Sequence, residues 1–233
     1  MRFLNALKND FRFQIKYGFY FLYAFFTVVY IAALLITPSE YKTLAASFII
    51  LTDPAMLGIF FIGGIWLLEK GEGLHGFWCI SPLRPIEYIL AKAISLAVLS
   101  TISADLIVLI GMGGAVHLVR LSFSVFLGAV VFNLIGLMIA SYARSVNHYM
   151  LIVCLPTAFL SMPPVLTAFG ITHPLLELFP GTALCHMIAG TIDVTRSVNS
   201  LAAIVLILWL GLLSYFANKR IGTALQSEGG QGA

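Results

Sequence analysis

An all-α integral membrane protein is the fold class this sequence predicts, on three observations. Of 233 residues, 60% are apolar and only 10% charged, whereas an ordinary soluble domain is ~25% charged. Mean hydropathy is +0.99. Six apolar runs approach or exceed the ~20 residues a helix needs to cross hydrocarbon, and most of the basic residues fall on alternate connections between them. Lipid accepts an apolar exterior but offers nothing to an unpaired amide, so helices are the expected spanning units.

Residues 1–17 read as an interfacial amphipathic helix. Leu4, Leu7, Phe11 and Ile15 recur at helical spacing on one face, with Lys8, Arg12 and Lys16 beside them. Such a helix lies along the inner leaflet while its cations reach the lipid headgroups. A six-span domain over 18–220 follows, with spans at about 19–36, 44–68, 93–116, 123–142, 149–169 and 201–217. The first run follows basic residues but lacks a convincing small-x-small cleavage site, so it reads as a retained span rather than a signal peptide.

The polar loop 69–92 separates spans two and three, and with its flanks it reads "LLEKGEGLHGFWCISPLRPIEYILAK". Glu69 to Gly73 carries charges and glycines that unwind the second span. Leu74, Phe77 and Trp78 recur at i, i+3 and i+4, which predicts a short helix with an aromatic face, ended by Pro82. An alternative is that these rings pack onto the bundle or sit in the membrane interface. Pro85 suits the first turn of the next helix, and Glu87 complements its dipole.

Residues 170–200 include "PLLELFPGTALCHMIAG", too apolar for a solvated loop and too broken by Pro174, Pro180 and Gly181 for a full span. Short re-entrant helices in the outer leaflet, buried against protein, reconcile those facts. Residues 221–233 end in the Gly-rich "QSEGGQGA" and read as a flexible tail.

Ten of the thirteen Lys and Arg residues fall on one side of this layout: Arg2, Lys8, Arg12, Lys16, Lys70, Arg84, Lys92, Arg144, Lys219 and Arg220. Lys42, Arg120 and Arg196 fall on the other. The positive-inside rule therefore puts both termini and the 69–92 loop of a multi-pass membrane protein in the cytoplasm, and a bacterial-type plasma (inner) membrane is the expected location. The net charge of +3 records that orientation, and no nucleic-acid partner is expected. Cys79, Cys154 and Cys185 are scattered, which fits neither a disulfide framework nor zinc. His173 and His186 lack a third ligand, so no metal is expected.

The sequence has no G-x-x-x-x-G-K-[ST] loop, no H-E-x-x-H and no G-x-S-x-G. It is therefore not expected to be an enzyme by itself, and it offers no catalytic residue. Two carboxylates lie inside spans: Asp53, about 14 Å from the outer end of span two, and Asp105, about 17 Å from that of span three. They form either a cation or proton site on a substrate path, or local bonds to hydroxyls such as Thr52 or Ser103, with Asp53 capping a kink at Pro54. Phe25, Phe26, Phe60 and Phe61 are candidates to line the same path, and otherwise face lipid or core.

"LLEKGEG", then a short helix, then "SPLRPIEYILAK" leading into an apolar span, resembles the cytoplasmic signature of the ABC type 2 permease family. "KYGFYFLYAF" and "TDPAMLGIFFIGG" further resemble a subgroup of small permeases described as fluoroquinolone exporters. The resemblance implies six spans, an interfacial N-terminal helix, a coupling helix between spans two and three, and re-entrant helices before span six. It implies the permease subunit of an ATP-binding-cassette exporter carrying a small amphipathic or drug-like substrate. Its partners would be ATPase subunits, which hold the ATP and Mg, together with a second copy or a paralogous permease. By that resemblance Glu69, Glu72, Leu74, His75, Phe77, Trp78 and Arg84 form the ATPase-coupling interface. Gly76 departs from the pattern, because Gly costs a helix ~1 kcal/mol relative to Ala. A proton-coupled secondary transporter using Asp53 and Asp105, and a non-transport membrane scaffold, stand as readings from other classes.

Overall fold

A computed structural model describes residues 2–80, 83–113, 116–171, 173–192 and 200–229. The side chains of Asp53, Pro54, Phe77, Cys79, Ile80 and 226–229 lie outside the described residues, as do Pro82 and Arg196 entirely. Among the described residues the fold is helical, with no strand.

Among the described residues five helices are long and apolar enough to cross a membrane: α2 (Phe19–Ile36), α6 (Pro85–Met112), α7 (Leu118–Ala140), α8 (Val146–Ala168) and α11 (Ser200–Gly229). Around them run α1 (Arg2–Lys16), α3 (Lys42–Ile50), α4 (Leu57–Gly71), α5 (Leu74–Ile80), α9 (Pro174–Glu177) and α10 (Pro180–Ile192). The hub is α7, which packs against α6, α4, α11 and α10. Its apolar stretch is 72% buried, against 17% for both α2 and α8, which lie at the rim.

The stretch expected as one continuous second span is broken. A π-helical turn, Leu51–Ala55, joins α3 to α4, and neither half reaches spanning length. Pro54 lies in that turn, and a proline has no N–H to give to the carbonyl four residues back, so an α-ladder loses one bond at this position. The ladder resumes one residue out of step, with Met56 N–H donating to Leu51 O at 3.1 Å, five residues back.

Two other boundaries move. The third span starts at Pro85 rather than 93, because Pro occupies the first turn and Arg84 N–H donates to the Glu87 carboxylate at 2.9 Å; it stops at Gly113, whose φ is +62°. The predicted tail from 221 continues as helix to Gly229. Ala217, Ile221, Ala224 and Leu225 extend the buried stripe of α11, which packs on α5, so the polar letters near the end hid an apolar face.

Small residues bring α4 close to its neighbours. A Cβ on Gly136 of α7 would come within 2.6 Å of Ile59 O, and one on Gly63 would overlap the Tyr149 ring. Tyr149 of α8 donates to Ile59 O at 2.5 Å, just past the π turn. Asn133 of α7, fully buried, donates to Ala93 O of α6 at 2.9 Å.

Candidate functional site: an ion cluster under the short helix

The inward face of α1 is polar. Ala6, Asp10 and Gln14 recur every four residues and are buried, whereas Leu4 and Ile15 are 64% and 61% exposed. The apolar face expected to meet lipid is thus free to do so, while a polar stripe docks the helix on α6.

Asp10 meets Lys92, which stands about two turns into α6. Lys92 Nζ donates to Asp10 Oδ1 at 2.9 Å and to Glu69 Oε1, at the end of α4, at 2.5 Å. The Tyr88 hydroxyl donates to the other Glu69 oxygen at 2.6 Å, and its ring lies 4.8 Å from the Lys92 ammonium. Lys92 is 1% exposed and Glu69 2%. The sequence counted Lys92 only among the cations of the cytoplasmic side; two carboxylates hold it inside, because a buried ammonium persists only where it is paired.

Two carboxylates on one cation leave an excess negative charge. Burial pushes the Asp10 carboxyl up to about 6; the Lys92 cation pulls it down, Glu69 pushes it up again, and the hydrogen bond from Lys92 favours the ionised form. Asp10 is therefore the member of the cluster poised near neutrality.

A seam continues along α6. Gln14 donates to Ser95 Oγ at 2.7 Å, the Tyr23 and Ser100 hydroxyls are 3.0 Å apart, and those of Thr27 and Ser103 are 2.5 Å apart. Thus α1 and α2 are stitched to one face of α6.

The short helix α5 sits on this cluster through aromatic rings. Gly73, at φ +71°, turns the chain back after α4. His75 is buried with its ring 4.2 Å from that of Trp66, and Trp78 lies half-buried with its ring 5.4 Å from that of Tyr88. His75 and Trp78 thus face the bundle, and for Trp78 this is the alternative reading of the sequence, in which the rings pack onto the bundle. Leu74 is half-buried, and Glu72 and Arg84 are exposed, with the Glu72 carboxylate accepting from the Tyr17 hydroxyl. A Cβ on Gly76 would meet open space, so that position marks the outward side.

Residues 1–222 match the profile of the Fluoroquinolones export permease protein family. This chain belongs to that family of membrane permeases. Two relatives described as fluoroquinolones export permease proteins, from Mycobacterium tuberculosis strains CDC 1551 / Oshkosh and H37Rv, are each 30% identical to it over 180 residues. That span is 77% of this chain and 76% of each relative. The profile match takes in the whole ion cluster, the seam and α5.

Elsewhere in the chain, Asp105 is half-buried and accepts from Ser122 of α7 at 2.7 Å. The sequence offered Ser103 as its hydroxyl partner, but that group is taken by Thr27. The second Asp105 oxygen is buried with no hydrogen-bond partner among the described residues. Asp53 belongs to the π turn; its side chain, and so its relation to Asp105, lies outside the described residues. Phe25 is 57% exposed and stacks edge-on with Phe26 in α2, while Phe61 meets Phe19 and Tyr23, and Phe60 packs beside the core. Of the four phenylalanines, Phe25 and Phe26 thus pair within α2 at the rim, Phe61 bridges α4 to α2, and Phe60 packs on the core. Among the described residues no three His, Cys, Asp or Glu side chains gather as metal ligands.

Proposed function

We propose that this chain is the membrane subunit of an ATP-binding-cassette exporter that moves a small amphipathic or drug-like compound across a bacterial-type inner membrane. Membership of an export permease family and the names of the two relatives support transport and its direction. The broken helix α3–α4 serves as the sixth crossing, both termini are cytoplasmic, and α9 and α10 enter the outer leaflet. A second copy or a paralogous permease completes the pore. The sequence carries no phosphate-binding loop, so ATP and Mg belong to the partner ATPase.

The observation that carries this reading is Tyr88: one side of it packs on Trp78 of α5 and its hydroxyl holds Glu69 of the ion cluster. A push on α5 therefore reaches α6, α4 and α1 through groups that cannot slip without unpairing a buried charge. Leu74 of α5 and the exposed Glu72 and Arg84 that flank the helix dock on the ATPase, with Phe77 assigned to the same interface from the sequence alone. His75 and Trp78 act from beneath, as the linkage into the bundle. The bundle then switches between discrete inward-open and outward-open packings, moving as rigid bodies.

Co-expression with the ATPase and affinity purification test this directly. Phe77→Ala combined with Trp78→Ala is expected to release the ATPase or to leave its hydrolysis independent of cargo. Unchanged co-purification together with unchanged transport overturns the reading.

The unpartnered oxygen of Asp105 favours a second reading, proton-coupled transport. It predicts uptake that follows a pH gradient in vesicles holding this chain alone, which ATP-driven transport does not.

A further inference from the structure

We propose that a cavity at the end of the bundle opposite the ion cluster binds amphipathic organic ammonium ions, with Glu40 as their counter-charge. The cavity measures about 430 Å³ and lies where the start of α3, the end of α8 and α10 converge. That volume falls in the range of sites for drug-sized ligands.

Its chemistry favours one charge class. Glu40 stands at the rim, and no Lys or Arg lines the cavity among the described residues. Two lining hydroxyls have already spent their single proton: Ser47 donates to Thr43 O at 2.9 Å and Thr167 to Pro164 O at 2.8 Å. What these two groups can still offer a ligand is lone pairs. Thr43, Cys185 and His186 complete the polar lining, and with Glu40 as its one carboxylate and two hydroxyls committed the wall favours a cationic N–H donor over an anion. Leu44, Phe48 and Pro164 supply the apolar remainder, so the ligand needs an aromatic or aliphatic body behind its charge. The Phe48 ring also suits a cation.

On the exporter reading this is the outer, releasing site for cargo, but binding itself rests on the cavity alone and is measured without a motor. The full chain in phosphatidylglycerol nanodiscs is titrated with dansylcadaverine, a fluorescent primary ammonium, and with dansyl-aminocaproate, which has the same ring body and the opposite charge. Saturable binding of the ammonium and none of the carboxylate is expected. Glu40→Gln should weaken the ammonium about tenfold, and Ala189→Phe, which fills the cavity from α10, should abolish it. Glu40 is exposed, so its isosteric replacement leaves the fold intact, which the melting temperature checks.

Equal binding of both probes, unchanged affinity in Glu40→Gln, or mere partition into lipid overturns the proposal. So does loss of the signal when phosphatidylethanolamine is added, because a lipid headgroup then owns the site. Should the ATPase fail to drive transport while Glu40-dependent binding persists, the exporter reading falls and this one stands.

Discussion

Lys92 and Asp10 stand 82 positions apart in sequence and 2.9 Å apart in space. Their contact decides how the N-terminal helix sits, and it makes the two residues unequal under substitution. Removing Lys92 leaves Asp10 and Glu69 facing each other without a cation, whereas removing the Asp10 charge leaves a balanced Lys92–Glu69 pair. Lys92→Met should therefore cost about 3–5 kcal/mol of stability, as breaking a buried ion pair does, and Asp10→Asn much less. Thermal melting in detergent checks the order; equal losses would show that the cluster is held by packing and not by charge.

The same carboxylate sets a pH dependence. Asp10 titrates near 3.8 when free and near 6 when docked between Lys92 and Glu69. A raised value means that the docked helix binds the proton more tightly, so its advantage is complete below about 3.8 and is lost as pH rises through about 6. Docking of α1 should be tighter at pH 5 than at pH 7.5, by on the order of 1 kcal/mol. Hydrogen exchange of α1 amides, corrected for intrinsic rate, measures it. The Asp10→Asn variant should show no such dependence.

The packing of α4 on α8 gives a third expectation. The Tyr149 ring occupies the space a Cβ on Gly63 would need, so Gly63→Ala should cost about 1–3 kcal/mol by overpacking. Tyr149→Ala removes the obstruction as well as its bond to Ile59 O. The double variant should then be more stable than the two single losses added together. Simple additivity in a melting series would place the strain elsewhere.

How legible all this was differs by element. Helical class, most spans and the short helix α5 follow from hydropathy and Pro or Gly punctuation, which act locally. The ion cluster does not, because its partners come from α1, α4 and α6, and a lysine at the start of a span reads equally as a headgroup anchor. A signal was nonetheless present: Asp10 and Gln14 are one turn apart on α1, and Lys92, Ser95, Ser100 and Ser103 share one face of α6. Two polar stripes of matching helical period, one on the amphipathic α1 and one on the apolar α6, ask for each other. Glu40 was passed over for the opposite reason, since a loop carboxylate gains meaning only when α8 and α10 close a cavity beside it.

The π turn at Leu51–Ala55 leads to the last prediction. A proline inside a helix costs about 3 kcal/mol, and Pro54 lies between α3 and α4, two residues before Met56 bonds back to Leu51. On the transport reading, such a break is the place where α3 and α4 change their mutual angle as the bundle switches. Pro54→Ala restores the missing N–H and removes the ring, so the segment can close into a regular α-helix. The variant should melt higher, by roughly 1–3 kcal/mol of stability, and should transport more slowly while still binding its ATPase. Stability and transport moving in opposite directions is the signature to look for. A variant that gains stability and transports at the original rate would show that the break is a packing solution and not a hinge.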